Sequence, residues 1–272
     1  MNAEKNFFRT NRLPYIWCPG CGNSIVLNQV TKAISNLGWD QNMVVGVSGI
    51  GCSSRSTGYL DFNTLHTLHG RALPFATGVK LANPELKVIV FTGDGDATAI
   101  GGNHFIHAAR RNIDITVVLF NNNIYGMTGG QYSPTTPVGY RATTARYGNI
   151  ETPFDLVDLA IGAGASYVAR TSVANPKEML ELIERGFKNP GFSLIEVMTN
   201  CHEQFGRIND MKKPVEVINW IRNQLITKEE ADKLTPEERQ GKIVTGLFHH
   251  KPRPEYVETY DREILAKAQQ KG

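Results

Sequence analysis

Two short apolar runs, Val88–Phe91 and Ile115–Phe120, constrain this chain more than any other feature. Both are rich in β-branched residues, show no polar alternation and end at turn formers, the pattern of strands buried on both faces of a parallel sheet. Gly93-Asp94-Gly95-Asp96 closes the first run, and Asn121-Asn122-Asn123 closes the second. Between them, Asn103–Arg111 is long enough for a crossover helix. Such connections are right-handed, so this one returns the chain to the same edge of the sheet and brings Asp94 and Asn122 together. That edge, beyond the carboxyl ends of the strands, is where open α/β sheets bind ligands.

The remaining sequence repeats the alternation of strand and helix signals. Ser24–Leu37, Pro74–Asn83, Phe154–Gly162 and Pro176–Lys188 have helical character. Met43–Val47, Ser166–Ala169 and Ser193–Val197 read as strands, and the first of them runs into the turn Gly49-Ile50-Gly51-Cys52. The expected fold class is α/β, a mostly parallel sheet with helices on both faces. From about residue 205 the core signature weakens. Val215–Leu225 still looks helical, and Thr235-Pro236-Glu237-Glu238 has a helix N-cap, with Pro first and Glu third in the helix. We expect one domain over 1–204 and a C-terminal extension over 205–272 that packs on something else and contacts a partner subunit.

Charge and hydropathy exclude some classes. With 29 basic and 26 acidic residues the formal net charge is +3, too mild to argue for nucleic acid. No apolar run approaches the roughly 18 residues of a membrane span. Met1–Arg12 lacks the apolar segment of a secretory signal. The expectation is a cytoplasmic protein with neither nucleic acid nor membrane as partner.

Asp94 and Asn122 suit a hard divalent cation. One carboxylate, one amide oxygen and a backbone carbonyl leave positions for two phosphate oxygens, as magnesium prefers. Gly93 and Gly95 let the backbone approach a diphosphate without a Cβ in the way. The plainer reading is that these are turn residues closing strands; the crossover spacing favours the site. The chain has four cysteines. Cys18-Pro19-Gly20-Cys21 is a tight turn that points two thiolates at one centre, and Cys52 and Cys201 each follow a strand. A disulfide framework is not expected in a large cytosolic chain. Spacing alone leaves a zinc site and a 4Fe–4S cluster both open.

Gly93-Asp94-Gly95 followed by Asn121-Asn122 resembles the thiamine-diphosphate fingerprint of the transketolase and pyruvate-decarboxylase superfamily. The resemblance implies a thiamine-diphosphate-binding fold, with Mg²⁺ held by Asp94, Asn122 and the carbonyl of Ile124. It places Gly93, Gly95, Asp96, Gly126 and Met127 against the cofactor. Further motifs narrow the family: Cys18-Pro19-Gly20-Cys21-Gly22, Gly51-Cys52-Ser53-Ser54, Gly101-Gly102-Asn103-His104-Phe105 to Arg110-Arg111-Asn112, Tyr125-Gly126-Met127-Thr128-Gly129-Gly130-Gln131 and Ser133-Pro134-Thr135. These resemble the β subunit of 2-oxoacid:ferredoxin oxidoreductases over about residues 12–205.

That likeness implies that Cys18, Cys21, Cys52 and Cys201 bind one 4Fe–4S cluster. It implies that Ile50, Gly51, Cys52, Ser53 and His69 contact the cofactor, and that Arg55 meets the substrate carboxylate, which an Arg can hold bidentately. The Cys-Ser-Ser-Arg form and His66–Arg71 are similar to the 2-oxoglutarate branch, with pyruvate next. The implied activity is coenzyme A-dependent oxidative decarboxylation of a 2-oxoacid, with electrons passed to ferredoxin. Thiamine enzymes also need a glutamate on a pyrimidine-binding domain, for which this chain has no room. A partner α subunit should supply it, in an αβ or α2β2 hetero-oligomer. Two other classes compete: a non-oxidative thiamine-diphosphate decarboxylase subunit with a structural Zn(Cys)4 site, and a non-catalytic scaffold or electron-transfer subunit.

Other polar residues have plainer readings. His104 and His107 share a helix face without an acid to complete a metal site, and Arg110-Arg111 suits the negative pole of the helix dipole. His249 and His250 have no partner nearby in sequence and read as surface. Gln131–Pro137 reads as a loop over the cofactor or against the partner.

Overall fold

The computed structural model describes residues 7–270. The first half of the Met1–Arg12 segment therefore lies outside the described residues. Eight strands form one sheet. In chain order the elements are α1 (Asn23–Asn36), β1 (Val44–Ser48), the single turn α2 (Ser56–Tyr59), β2 (Asn63–His66), α3 (Ala72–Ala82), β3 (Lys87–Gly93), α4 (Gly102–Arg111), β4 (Thr116–Asn121), the short hairpin β5 (Ile124–Tyr125) and β6 (Gln131–Tyr132), α5 (Leu156–Ala163), β7 (Tyr167–Ser172), α6 (Pro176–Lys188), β8 (Ser193–Met198), α7 (Pro214–Gln224), β9 (Leu225–Thr227), and, after two short helical turns, β10 (Ile243–His250). The sheet order is β2-β1-β3-β4-β8-β7-β10-β9. Every pairing from β2 to β7 is parallel; β10 pairs antiparallel with β7, and β9 pairs parallel with β10.

The continuous apolar runs follow from burial on both faces. In β4, Val118 and Phe120 join the core beneath α1 and α6, whereas Val117 and Leu119 join the core beneath α3, α4 and α5. In β3, Ile89 and Phe91 face the first core, and Val88 and Val90 the second. Helix ends obey local chemistry. Asn175 caps α6 by accepting from the N–H of Glu178, with Pro176 in the first turn, and Asp155 caps α5 by accepting from Val157 and Asp158. No helix among the described residues is long and apolar enough to cross a membrane.

The C-terminal stretch differs from expectation in one respect: it packs on this chain's own sheet. β10 extends the sheet beyond β7, and the ring of Phe248 lies 5.6 Å from the guanidinium of Arg170 on β7. Arg253 donates to the carbonyls of Ala109 and Gly164, closing the ends of α4 and α5. Trp220 of α7 donates to the Tyr140 hydroxyl and packs on Phe205. His250 is exposed and His249 half-buried, in line with the surface reading, but the ladder gives His250 a partner that was not expected. Both lie on β10, and the His250 ring packs edge-on against Tyr167 at 5.6 Å, because strand pairing supplies a partner that the sequence neighbourhood lacks.

Candidate active site

Four adjacent strands carry the site. β1, β3, β4 and β8 stand side by side, and the chain leaves their carboxyl ends at residues 49–53, 94–96, 122–127 and 201. The first three of these segments, with His69, line one cavity of about 230 Å³. Ile50, Gly51, Cys52 and Ser53 form one side; Gly93, Asp94, Gly95 and Asp96 form the floor; Asn122, Ile124, Gly126 and Met127 close the other side. Phe120, Tyr125 and Thr128 also line it and were not anticipated. Tyr125 had a readable trace in Gly95: a Cβ there would collide with the Tyr125 ring.

Asp94 is 3% exposed. Its Oδ2 accepts from the Ser133 hydroxyl at 2.5 Å and the Thr135 hydroxyl at 2.7 Å. Among the described residues no basic side chain pairs with it, and burial pushes its carboxyl up to about 6. Ser133 and Thr135 fall in the segment that sequence reasoning took as a covering loop. The missed signal was the hydroxyl series Ser133, Thr135, Thr136 following the asparagine turn.

That turn is built from its own side chains. Asn121 Oδ1 accepts from the N–H of Asn123 at 3.1 Å, and Asn122 Oδ1 accepts from the N–H of Ile124 at 3.3 Å. Asn123 adopts a left-handed φ of 60°, and its carbonyl accepts from the Thr136 hydroxyl at 2.6 Å. Asp96 ties three loops together. Its carboxylate accepts from Thr92 Oγ1 and from the N–H groups of Gly70 and Ile50. His69 Nδ1 stands 2.7 Å from it, an ion-pair distance, although the ring N–H does not point along a hydrogen bond.

All four cysteines are free and line a second cavity of about 270 Å³. The two cavities share Cys52, Asn122, Gly126 and Met127. A Cβ on Gly126 would lie 3.3 Å from Cys201 Sγ and 3.8 Å from Cys52 Sγ, so glycine leaves the space between those two thiols clear. Burial raises the Cys21 thiol to about 12 and the Cys52 thiol to about 11, with the neighbouring thiols adding to both. Backbone N–H groups oppose that shift: Asn23 donates to Cys21, Met127 to Cys52, and Gln204 and Phe205 to Cys201. Among the described residues no three Cys, His, Asp or Glu side chains converge closely enough to hold a single metal ion.

Arg55 is exposed beside Cys52, whose thiolate its charge favours. His104 Nε2 lies 2.5 Å from Arg71 Nη1, away from the cavity lining.

Known proteins with these features define the class. The thiamine pyrophosphate enzyme C-terminal TPP-binding domain matches residues 49–197, the span from the β1 turn to the end of β8. The 2-oxoglutarate synthase subunit KorB of Methanothermobacter marburgensis is 54% identical, covering 94% of this chain and 91% of its own. That of Methanocaldococcus jannaschii is 52% identical over 97% of this chain and 98% of its own. Among solved structures, the 2-oxoglutarate:ferredoxin oxidoreductase from Magnetococcus marinus, with 2-oxoglutarate, coenzyme A and succinyl-CoA bound, superposes with a TM-score of 0.85. It is 34% identical, and the match covers 99% of this chain and 91% of that one. This chain belongs to the KorB family of 2-oxoacid:ferredoxin oxidoreductase β subunits. These relatives lend no support to a non-oxidative decarboxylase.

Proposed function

We propose that this chain holds the diphosphate, its magnesium ion and the electron exit of a coenzyme A-dependent 2-oxoglutarate:ferredoxin oxidoreductase. The observation that carries the reading is the common wall: the Asp94–Asn122 cavity and the four-cysteine cavity share Cys52, Asn122, Gly126 and Met127.

The donor sets fit both groups. Asp94 is a buried carboxylate with hydroxyl and backbone donors and no cationic side chain, so a divalent cation supplies the opposite charge it lacks. Asn122 and the Ile124 carbonyl are its proposed companions as ligands. Magnesium takes few protein ligands when phosphate oxygens complete its shell, in keeping with the single carboxylate. At the cysteines, burial disfavours the thiolates that bind iron, and backbone N–H groups near three sulfurs offset part of that cost, leaving the rest to a bound metal. Four thiols line one cavity of about 270 Å³, and four Cys ligands are the set a 4Fe–4S cluster takes. Cys18, Cys21, Cys52 and Cys201 are its proposed ligands. When bound, thiamine diphosphate supplies a carbanion centre for decarboxylation, and the cluster supplies one-electron transfer.

This chain's own groups bind and orient. Gly93, Gly95 and Gly51 admit the diphosphate, with Ile50, Ser53, Asp96, Gly126 and Met127 around it. His69 is held at the mouth beside Asp96. Arg55 meets the substrate carboxylate: it is exposed next to Cys52, and no hydrogen bond or ion pair among the described residues occupies its guanidinium. Arg55→Ala should raise the KM for 2-oxoglutarate roughly ten- to a hundredfold with a smaller change in kcat, as expected for a lost charge-assisted hydrogen bond. Arg55→Lys should recover part of the loss; equal KM values for the three proteins would assign the carboxylate to another residue.

An α subunit carrying the pyrimidine-binding domain completes the cofactor site in a hetero-oligomer. The extension from residue 205 is proposed to contact it, since its last turns leave Ile264 and Leu265 half exposed. Coenzyme A accepts the acyl group, and ferredoxin takes the electrons. The reading is tested by anaerobic reduction of a viologen dye by the co-purified complex. Reduction should require coenzyme A and be at least about tenfold more efficient with 2-oxoglutarate than with pyruvate; no reduction with either would sink it.

A further inference from the structure

Behind the candidate metal ligands lies a buried chain of charged and polar groups that the chemistry above does not use. Arg170 on β7 donates from Nε to Glu196 Oε2 at 2.7 Å and from Nη2 to Asp155 Oδ1 at 2.7 Å. Glu196, on the adjacent strand β8, is 1% exposed. Its other oxygen, Oε1, accepts from Asn121 Nδ2 at 2.7 Å. Asn121 Oδ1 in turn accepts from the N–H of Asn123 and lies 3.0 Å from the Thr135 hydroxyl, which donates to Asp94. An unbroken run of contacts thus joins the two ends of the metal site through one amide.

The polarity of each link follows from the one before. A guanidinium only donates, so the Glu196 oxygen that faces it accepts, and the other oxygen of a carboxylate is an acceptor too. A carboxylate that only accepts compels Asn121 to present its NH₂ to Glu196 and its oxygen to the turn. In the opposite orientation the NH₂ would face the Asn123 N–H, donor against donor, and the turn that presents Asn122 would lose its internal bond. A buried ion pair of this kind is weak grounds for stability, because desolvation offsets most of the attraction. Setting the direction of a neighbouring amide is something only a group of fixed polarity can do.

We propose that Arg170 and Glu196 are positioning residues for the magnesium–diphosphate site, acting through Asn121 to hold Asn122 and Thr135 in register with Asp94. This inference rests on the metal site proposed above. Glu196→Gln offers a sharp test. Its oxygen must go to Arg170, which leaves its NH₂ facing Asn121 and forces that amide to turn over. Combining it with Asn121→Asp restores the polarity of the chain: one oxygen of the new carboxylate accepts from the glutamine, the other from the N–H of Asn123, and the net charge is unchanged.

The measurement is Mg²⁺-dependent binding of thiamine diphosphate to the cofactor-stripped, co-purified complex, by titration calorimetry, with the thermal midpoint recorded alongside. Glu196→Gln should weaken binding about ten- to a hundredfold, the usual range for outer-shell partners of a metal site. The Asn121→Asp/Glu196→Gln protein should return to within about threefold of the parent. Asn121→Asp alone, which sets a second carboxylate against Glu196, should also bind weakly, and it serves as the single variant if Glu196→Gln does not fold. Near-parental affinity in the single variant, or a double variant no better than it, overturns the proposal whatever the thermal midpoints do. Asp94→Ala separates the two levels. If it binds the cofactor like the parent, the metal site itself is wrong; if it loses binding while Glu196→Gln keeps it, only the positioning role fails.

Discussion

Asp94→Ala is expected to abolish Mg²⁺-dependent cofactor binding and, with it, at least about 99% of oxoacid-dependent dye reduction by the complex. The expectation rests on charge. Asp94 is the one anionic side chain proposed for the cation, and a Lewis-acid contact worth several kcal/mol corresponds to a rate loss of a hundredfold or more. Asp94→Asn should fail almost as badly while stabilising the cofactor-free protein. The sign follows from burial: the carboxyl is raised from 3.8 to about 6 on folding, so ionising it opposes folding. That opposition is absent below the unfolded value, grows between the two, and is fully present above about 6, where 1.36 kcal/mol per unit makes it about 3 kcal/mol. Thermal midpoints of the cofactor-free complex should therefore favour Asp94→Asn at pH 7 and not at pH 4. Retained dye reduction by Asp94→Ala would instead point to a non-catalytic subunit.

The second large effect belongs to the cysteines. Cys21→Ser should remove the broad visible absorbance of the anaerobically purified complex and reduce dye reduction to background. Serine keeps the size of the side chain but is not deprotonated near neutrality, so a cluster ligand is lost. Cys21 is the informative choice because it lines only the cysteine cavity, whereas Cys52 lines both. Thiamine diphosphate affinity should stay within about threefold of the parent, a change small enough to separate the two sites. A colourless parent carrying about one zinc per chain would reject the cluster.

The parallel sheet was legible because β3 and β4 bury both faces, leaving short, β-branched apolar runs bounded by turn residues. The pairing of Asp94 with Asn122 followed from a crossover between two parallel strands, whose carboxyl ends share one edge of the sheet. The edge strand β2 was not legible: Asn63-Thr64-Leu65-His66 is mostly exposed and carries no core signal. β10 was missed for a related reason, since Ile243–His250 is half-buried and interrupted by Gly246. Ser133 and Thr135 stood out as a motif, but their bonds to Asp94 were not legible, because a hydroxyl in a turn-rich loop looks the same whether it faces water or a buried carboxylate. The Arg170–Glu196 pair was similarly opaque, because strand register decides that these two side chains meet.

Strand order also has a consequence for synthesis. β8 is the last of the six parallel strands to be made, yet it inserts between β4 and β7, both made earlier. Until it does, the edge of β4 that ends in Asn121 is bare, Glu196 is absent, and Cys201 has not arrived. A nascent chain stopped short of residue 193 thus already carries Asp94, Asn122 and three of the cysteines, but not the framework that gives them their geometry. The walls of both cavities are thus completed in one late step, the insertion of β8 between two strands already made.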